Sequence, residues 1–306
     1  MKAVRIHQFG GPSQTKTEQA PIPDLKRGEV LVKIHAAGVN PVDWMTRDEI
    51  YVPEGIGKLP ITLGQDFSGV ITELGTGRHA GFSVGDEVFG EAFGSFAEYV
   101  AVPAKDLVKK PKNLSFEAAA ALPMPGLTAW QVVIDTAKAA RGKRFLIHGA
   151  GGPVGALAAQ FAILKGAEVI ATASPPSFHF LKHIGVHQII DYKSQRFEKL
   201  VRNVDVVIDP VGGDVQARSF QVLKKGGMLI HLLGEIDRSA AKRTGVKAVD
   251  FGMSYDTEDL AEIAKLVSRG RIDPHITQVL PLSSARRALD LNQKGRSHGK
   301  IVLRVA

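Results

Sequence analysis

The residues best placed for chemistry are three glycines. Gly149, Gly152 and Gly155 recur at intervals of three within Phe145-Leu-Ile-His-Gly-Ala-Gly-Gly-Pro-Val-Gly155. A strand-like run at 144–148 precedes them and a helical run at 154–165 follows, with Gly166 just past its end. A turn without side chains lets the backbone approach a pyrophosphate. The helix that follows presents unpaired N–H groups and a partial positive charge to it. Pro153 falls in the first helical turn, where its missing N–H costs little, and Val154 stands beside it. The pattern predicts a dinucleotide held by Gly149, Gly152, Pro153, Val154 and Gly155. A second strand about 20 residues on supplies the context such a turn requires.

The end of that second strand chooses the cofactor. An acid there would accept from the ribose 2′-OH of NAD and repel a 2′-phosphate. The sequence reads Ala171-Thr172-Ala173-Ser174-Pro175, with no acid. NADPH is therefore expected, with Ser174, Ser177 and Tyr192 as donors to its phosphate.

Other chemistries lose their residues. The chain has no cysteine, which removes disulfides, thiol catalysis and every cysteine-containing zinc site. Gly81-Phe-Ser-Val-Gly85 matches a nucleophile pattern but is followed by strand-like residues where that motif needs a helix. His179, His183 and His187 are four apart, yet Gly185 ends the helix before the third. No tyrosine is followed four positions on by a lysine: Tyr51, Tyr99, Tyr192 and Tyr255 lead to Gly55, Pro103, Arg196 and Asp259. A metal is not expected.

The elements that must position the glycines divide the chain by texture. Residues 1–7, 29–36, 70–74 and 96–102 read as short strands, punctuated by glycine and proline. No helical period appears before about residue 115. Ser115 with Glu117 then starts a helix over 116–122, which Pro123 and Pro125 break, and a second follows over 128–140. Strands at 188–191, 204–209 and 227–232 alternate with helices up to 258–269, which indicates βαβ units and a parallel sheet. The chain returns to a strand at 300–305. Its 306 residues suit two domains.

The net charge of +8 allows a nucleic-acid partner. Lysines and arginines are scattered, and no groove-reading motif accompanies them, so nucleic acid is not the expected ligand. The uncharged run 145–164 is long enough to imitate a membrane span, but its glycine cluster would break a helix at mid-bilayer. No membrane association and no signal peptide are expected, and a cysteine-free chain suits the cytoplasm.

Several landmarks occur in order: Gly38-Val-Asn-Pro-Val-Asp43, Gly64-Gln-Asp-Phe-Ser-Gly69, Val84-Gly-Asp-Glu-Val88, Gly94-Ser-Phe-Ala-Glu-Tyr99, Gly126-Leu-Thr-Ala-Trp130, the glycine motif with Gln160, Asp209-Pro-Val-Gly-Gly213, and His298-Gly-Lys-Ile-Val302. Together they make the whole chain resemble the zinc-independent, zeta-crystallin-like quinone oxidoreductases of the medium-chain dehydrogenase/reductase superfamily. The resemblance implies an α/β protein: a GroES-like β-rich catalytic domain (1–117 and 270–306) and a Rossmann domain with a doubly wound parallel sheet (118–269). It implies NADPH in the cleft between them, quinones or α,β-unsaturated carbonyls as substrates, and a homodimer formed through the Rossmann sheet edge. Zinc-dependent relatives place a cysteine where Asn40 stands and a histidine where Gln65 stands.

By the same resemblance Asn40 contacts nicotinamide or substrate, and Tyr51 falls near a tyrosine that hydrogen-bonds the substrate carbonyl. Thr128 is a cofactor-contacting threonine. Gly212, Gly213, Leu233 and Gly234 follow the fourth and fifth strands of the parallel sheet, beside the nicotinamide ribose. Lys300 reaches the cofactor phosphates. One departure stands out: NADP-using relatives often carry a lysine or arginine after the second strand, where this chain has Ser174-Pro-Pro-Ser-Phe178. The competing reading is a protein that binds NADPH, reduces nothing, and acts through RNA or protein.

Overall fold

Short runs rich in Val and Ile, cut by glycine and proline, become the strands of the amino-terminal region. The computed structural model describes residues 1–305. In chain order they are β1 (Lys2–Ile6), β2 (Lys16–Gln19), β3 (Glu29–Gly38), helix α1 (Pro41–Arg47), β4 (Ile61–Thr62), β5 (Asp66–Leu74), β6 (Glu87–Glu91), β7 (Tyr99–Pro103), β8 (Leu107–Lys109), α2 (Phe116–Ala120) and α3 (Pro123–Trp130). Next come β9 (Arg144–Ile147), α4 (Pro153–Leu164), β10 (Glu168–Ala173), α5 (Phe178–His183), β11 (Gln188–Asp191), α6 (Phe197–Leu200), β12 (Val204–Asp209), α7 (Gly213–Ser219), β13 (Leu223–His231), α8 (Arg238–Thr244) and β14 (Lys247–Asp250). The chain closes with α9 (Thr257–Ser268), β15 (Ile276–Pro281), α10 (Ala285–Gln293) and β16 (Lys300–Arg304).

These elements form two compact units, one of Met1–Met124 with the chain from Tyr255 onward, the other Pro125–Ser254. The sequence reading drew its boundaries at 117/118 and 269/270. The difference at the second boundary is helix α9, which packs in the first unit: Asn113 Nδ2 donates to the Ser268 carbonyl at its end.

The first unit holds a three-stranded sheet in the order β2-β1-β4 and a larger one in the order β15-β16-β3-β5-β6-β8, with β7 also on β3. Val30, Val32, Ile34, Phe67, Val88 and Ile301 fill its core. Burying such a side chain fully is worth about 1.5–3 kcal/mol. Helix α10 closes the core with Ala285, Ala288 and Leu289. Arg47 at the end of α1 is fully buried and gives hydrogen bonds to Asp48 and Gln293, tying α1 to α10.

The second unit is one six-stranded sheet in the order β11-β10-β9-β12-β13-β14, parallel throughout. Strand order runs outward in one direction from β9 and in the other from β12. The reversal between these neighbours makes a crevice at their carboxyl ends, where ligands bind in sheets of this type. Two expectations shift. Helix α2 ends at Ala120, ahead of the prolines expected to break it, and those prolines also open α3, because a first helical turn has no intrahelical acceptor for the N–H that proline lacks. The helix expected from 128 continues past Trp130 as π-helix over Gln131–Thr136. No described helix is long and apolar enough to cross a membrane.

Candidate functional site

The glycine turn sits directly after β9, at the crevice. Gly149 has φ +58°, a conformation side chains disfavour, and Gly152 is the N-cap of α4. A Cβ on Gly155 would stand 2.6 Å from the Gly149 carbonyl oxygen, so only glycine lets the helix lie this close to the turn. Pro153 and Val154, half-buried, form the first turn of α4, whose leading N–H groups have no acceptor within the helix. Ser177 is buried with its Oγ unpaired and faces Gly151, where any Cβ would collide with it. Ser174 is buried beside it at the end of β10.

A cavity of about 300 Å³ opens at these carboxyl ends, lined among others by His148, Gly149, Thr172, Tyr192, Val211 and Arg218. This is the lower bound of the usual size of a ligand pocket. His148 bridges its floor, from Thr172 Oγ1 at 3.0 Å to Ser219 Oγ at 2.9 Å. Burial pushes its pKa down to about 4, so the ring is neutral. Arg218 enters from α7, held by Glu198 at 3.0 Å and lying over the Phe197 ring. Sequence reasoning missed Arg218 because its helix was not read.

After β12 the buried Asp209 accepts from the N–H groups of Val211 and Gly212 and shapes the turn. His231 Nδ1 is 2.9 Å from the Asp209 carbonyl oxygen. Its ring abuts Gly212 and Gly234, where a Cβ would come within 3.0 Å and 3.7 Å of it. Gly213 opens α7 at φ +57°. Leu233 is exposed and Thr128 is half-buried on α3. The second unit thus gathers the turn glycines, Ser174, Ser177, Tyr192, Gly212, Leu233 and Gly234 onto the carboxyl ends of one sheet.

Asn40 and Lys300 belong to the first unit and meet there. Lys300, expected at the cofactor phosphates, is instead fully buried, its ammonium 2.6 Å from Asn40 Oδ1 and 3.1 Å from Asp66 Oδ2. Its charge is committed to the core. Gly38 makes the room: a Cβ there would lie 3.0 Å from Lys300 Cε and 3.1 Å from Asp66 Cβ. Asn40 caps α1, and its backbone N–H donates to Asp43 Oδ2 at 2.7 Å. Asp66 faces Glu91 across the β5–β6 pair. Burial raises the Asp43 carboxyl to about 8. Burial, then the Asp66 charge, raises Glu91 to about 8. Burial also pushes Asp66 upward, against the pull of Lys300 and Asn40. Asn40 Nδ2 is buried and completes no hydrogen bond.

Asp43, Asp66 and Glu91 were not singled out from the sequence, although each lies in a quoted landmark or the segment beside it. The signal was a carboxylate inside an apolar strand, and for Asp43 an acid at the third position of a helix opened by Asn-Pro. Tyr51 is not part of this cluster; it lies on the loop after α1 with 54% of its surface exposed. Gly81–Gly85 precedes a strand, as expected. Among the described residues no group of histidines and acids could hold a metal.

Two family models match the chain: the alcohol dehydrogenase GroES-like domain over residues 26–112 and a zinc-binding dehydrogenase domain over 184–303. The tomato (Solanum lycopersicum) 2-methylene-furan-3-one reductase is 34% identical over 99% of this chain and 79% of its own. The quinone oxidoreductase of Coxiella burnetii superposes with a TM-score of 0.92 at 36% identity, over 100% of this chain and 99% of that one. The Escherichia coli quinone oxidoreductase, solved with NADPH, gives 0.92 at 25% identity with both chains fully covered. The chain is an NAD(P)H-dependent oxidoreductase and belongs to the medium-chain dehydrogenase/reductase superfamily, among the quinone oxidoreductases and enone reductases.

Proposed function

We propose that the protein uses NADPH to reduce quinones or α,β-unsaturated carbonyls without zinc. The observation that carries this reading is the glycine turn at the reversal of the parallel sheet, opening on a cavity that holds Tyr192 and Arg218 and no carboxylate at the end of β10. That cavity would take the adenosine half, with Tyr192 in its lining and Ser174 and Ser177 after β10 as the residues that would donate to the 2′-phosphate. Arg218 supplies the cation that the Ser174-Pro-Pro-Ser-Phe178 segment lacks. The N-terminus of α4 would hold the pyrophosphate. Thr128, Gly212, Leu233 and Gly234 would contact the cofactor towards the nicotinamide. When bound, the nicotinamide supplies the hydride.

Asn40 is the group that receives the acceptor oxygen. Its Oδ1 accepts from Lys300, and Nδ2 stands near the Asp66 carboxyl without completing a hydrogen bond to it, so it can turn to an incoming oxygen. A preorganised donor of this kind stabilises charge developing on a carbonyl oxygen. Tyr51 assists from its exposed loop. The same hydrogen bond argues against zinc. A metal at Asn40 would sit against the Lys300 ammonium, 2.6 Å from the oxygen it would bind. The cysteine thiolates that zinc prefers are absent from the chain.

The proposal extends to a cytoplasmic homodimer. Strand β14 borders the parallel sheet and, among the described residues, pairs with β13 alone, so it leaves an edge for a second copy. The deciding experiment is NADPH oxidation at 340 nm with a benzoquinone, 9,10-phenanthrenequinone and an enal, against an NADH control. Turnover faster with NADPH supports the reading. Protein that binds NADPH and reduces none of the panel overturns it.

A further inference from the structure

Reduction of an enone or quinone needs a proton as well as a hydride. Three carboxyl groups, Asp43, Asp66 and Glu91, share one buried ammonium, Lys300. One negative charge is neutralised and the other carboxyls keep their protons. The polar atoms are also incompletely paired: Asp43 Oδ1, Glu91 Oε1 and Asn40 Nδ2 are all buried without a hydrogen bond. A proton-rich cluster with unfilled hydrogen-bonding capacity is built to meet a polar atom that is absent from the protein itself.

The three carboxyls differ in access. Asp43 and Asp66 are sealed in the core, whereas Glu91, the last residue of β6, retains partial exposure. It stands opposite Asp66, and residues so paired have Cβ atoms about 4.5–5.5 Å apart on the same face. Tyr255 fixes this strand end: its hydroxyl donates to the Asp106 carbonyl at 2.6 Å and accepts from the Glu91 N–H at 3.4 Å. Gly90 lacks a side chain because a Cβ would lie 2.7 Å from that hydroxyl. With its proton engaged, Tyr255 is not the donor.

We propose that Glu91 is the acid that protonates the acceptor oxygen held by Asn40. This rests on the reductase reading above. Once the acceptor has taken the hydride with its electron pair, the negative charge resides on that oxygen. The Glu91 O–H bond breaks, an O–H bond forms on the acceptor, and an enol or hydroquinone leaves. The Glu91 carboxylate remains near the Lys300 ammonium and takes a proton from solvent through its exposed side. The groups facing Glu91 are Asp66 from β5, Lys300 from β16 and Asp43 from α1, with the neutral Tyr255 hydroxyl behind it. With Glu91 raised to about 8, the acid form holds at neutral pH and is lost above it.

The test compares the wild type with Glu91→Gln and Glu91→Asp, using NADPH and an enone from pH 6 to 9. Circular dichroism reports the fold and fluorescence quenching the NADPH affinity. We expect wild-type kcat to fall above about pH 8 and Glu91→Gln to lose about 10²-fold in kcat together with that alkaline limb. NADPH affinity stays unchanged, and Glu91→Asp recovers part of the rate with the pH dependence restored. A Glu91→Gln enzyme that keeps both kcat and the alkaline limb overturns the proposal, as does a loss that merely follows NADPH affinity or unfolding. A wild type that binds NADPH but reduces no enone or quinone overturns the reductase reading, and this proposal with it.

Discussion

Lys300 Nζ lies between Asn40 Oδ1 and Asp66 Oδ2, fully removed from solvent. The geometry converts a lysine, ordinarily a surface group, into a fixed counter-charge for a cluster of acids. Asp43 records the cost of that cluster. Its carboxyl is raised to about 8 by burial, whereas in the unfolded chain it ionises near 4. Between those values the unfolded state has released a proton that the folded state retains, so stability falls as pH rises through the interval. Asp43→Asn should therefore become more stable relative to the wild type from about pH 4 to about pH 8. The gain is at most about 1.4 kcal/mol per pH unit, with no further change above. Urea denaturation of both proteins across this range measures the difference.

At the level of elements, the turn between β9 and α4 is specified by what it lacks. Gly155 brings the helix against the Gly149 carbonyl oxygen, and Gly151 leaves space for Ser177. Gly155→Ala places a methyl group 2.6 Å from that oxygen, so turn and helix must separate. We expect a stability loss of about 1–3 kcal/mol by thermal or urea unfolding. NADPH affinity should also weaken about tenfold or more, since each 1.4 kcal/mol of misplacement is a factor of ten. Helix α10 teaches a different lesson. Its buried positions, Ala285, Ala288 and Leu289, follow helical spacing and the helix is clearly amphipathic, yet two of the three are alanines set among arginines, so the segment as a whole is polar and does not stand out as apolar. Helix α1, only seven residues long, was likewise passed over despite its Asn-Pro-x-Asp start.

The whole molecule combines a β-rich unit holding the acid cluster with a parallel-sheet unit holding the glycine turn. A ligand that binds only the folded protein stabilises it by mass action. NADPH at a hundred times its Kd should add about 2.7 kcal/mol, and NADH at the same concentration less. Differential scanning fluorimetry with each cofactor reads this directly. Incubation with EDTA should leave both the melting temperature and NADPH-dependent turnover unchanged. A chelator-sensitive enzyme would overturn the proposal that reduction proceeds without zinc.

The sequence by itself determined the glycine turn, the parallel sheet that carries it, the lack of an acid after β10 and the absence of cysteine. These are local properties: a turn, a strand period and a residue type are read within a few positions of one another. Tertiary structure decided where the distant charges go. Lys300 and Asn40 are separated by 260 positions and meet only because β16 pairs with β3. Asp66 and Glu91 become partners only through the register of β5 with β6. Lys300 was expected at a phosphate from the family resemblance, which assigns it by position in a motif and not by its surroundings. Strand pairing buried it and gave it an acid and an amide, and no pattern of neighbouring residues encodes that choice.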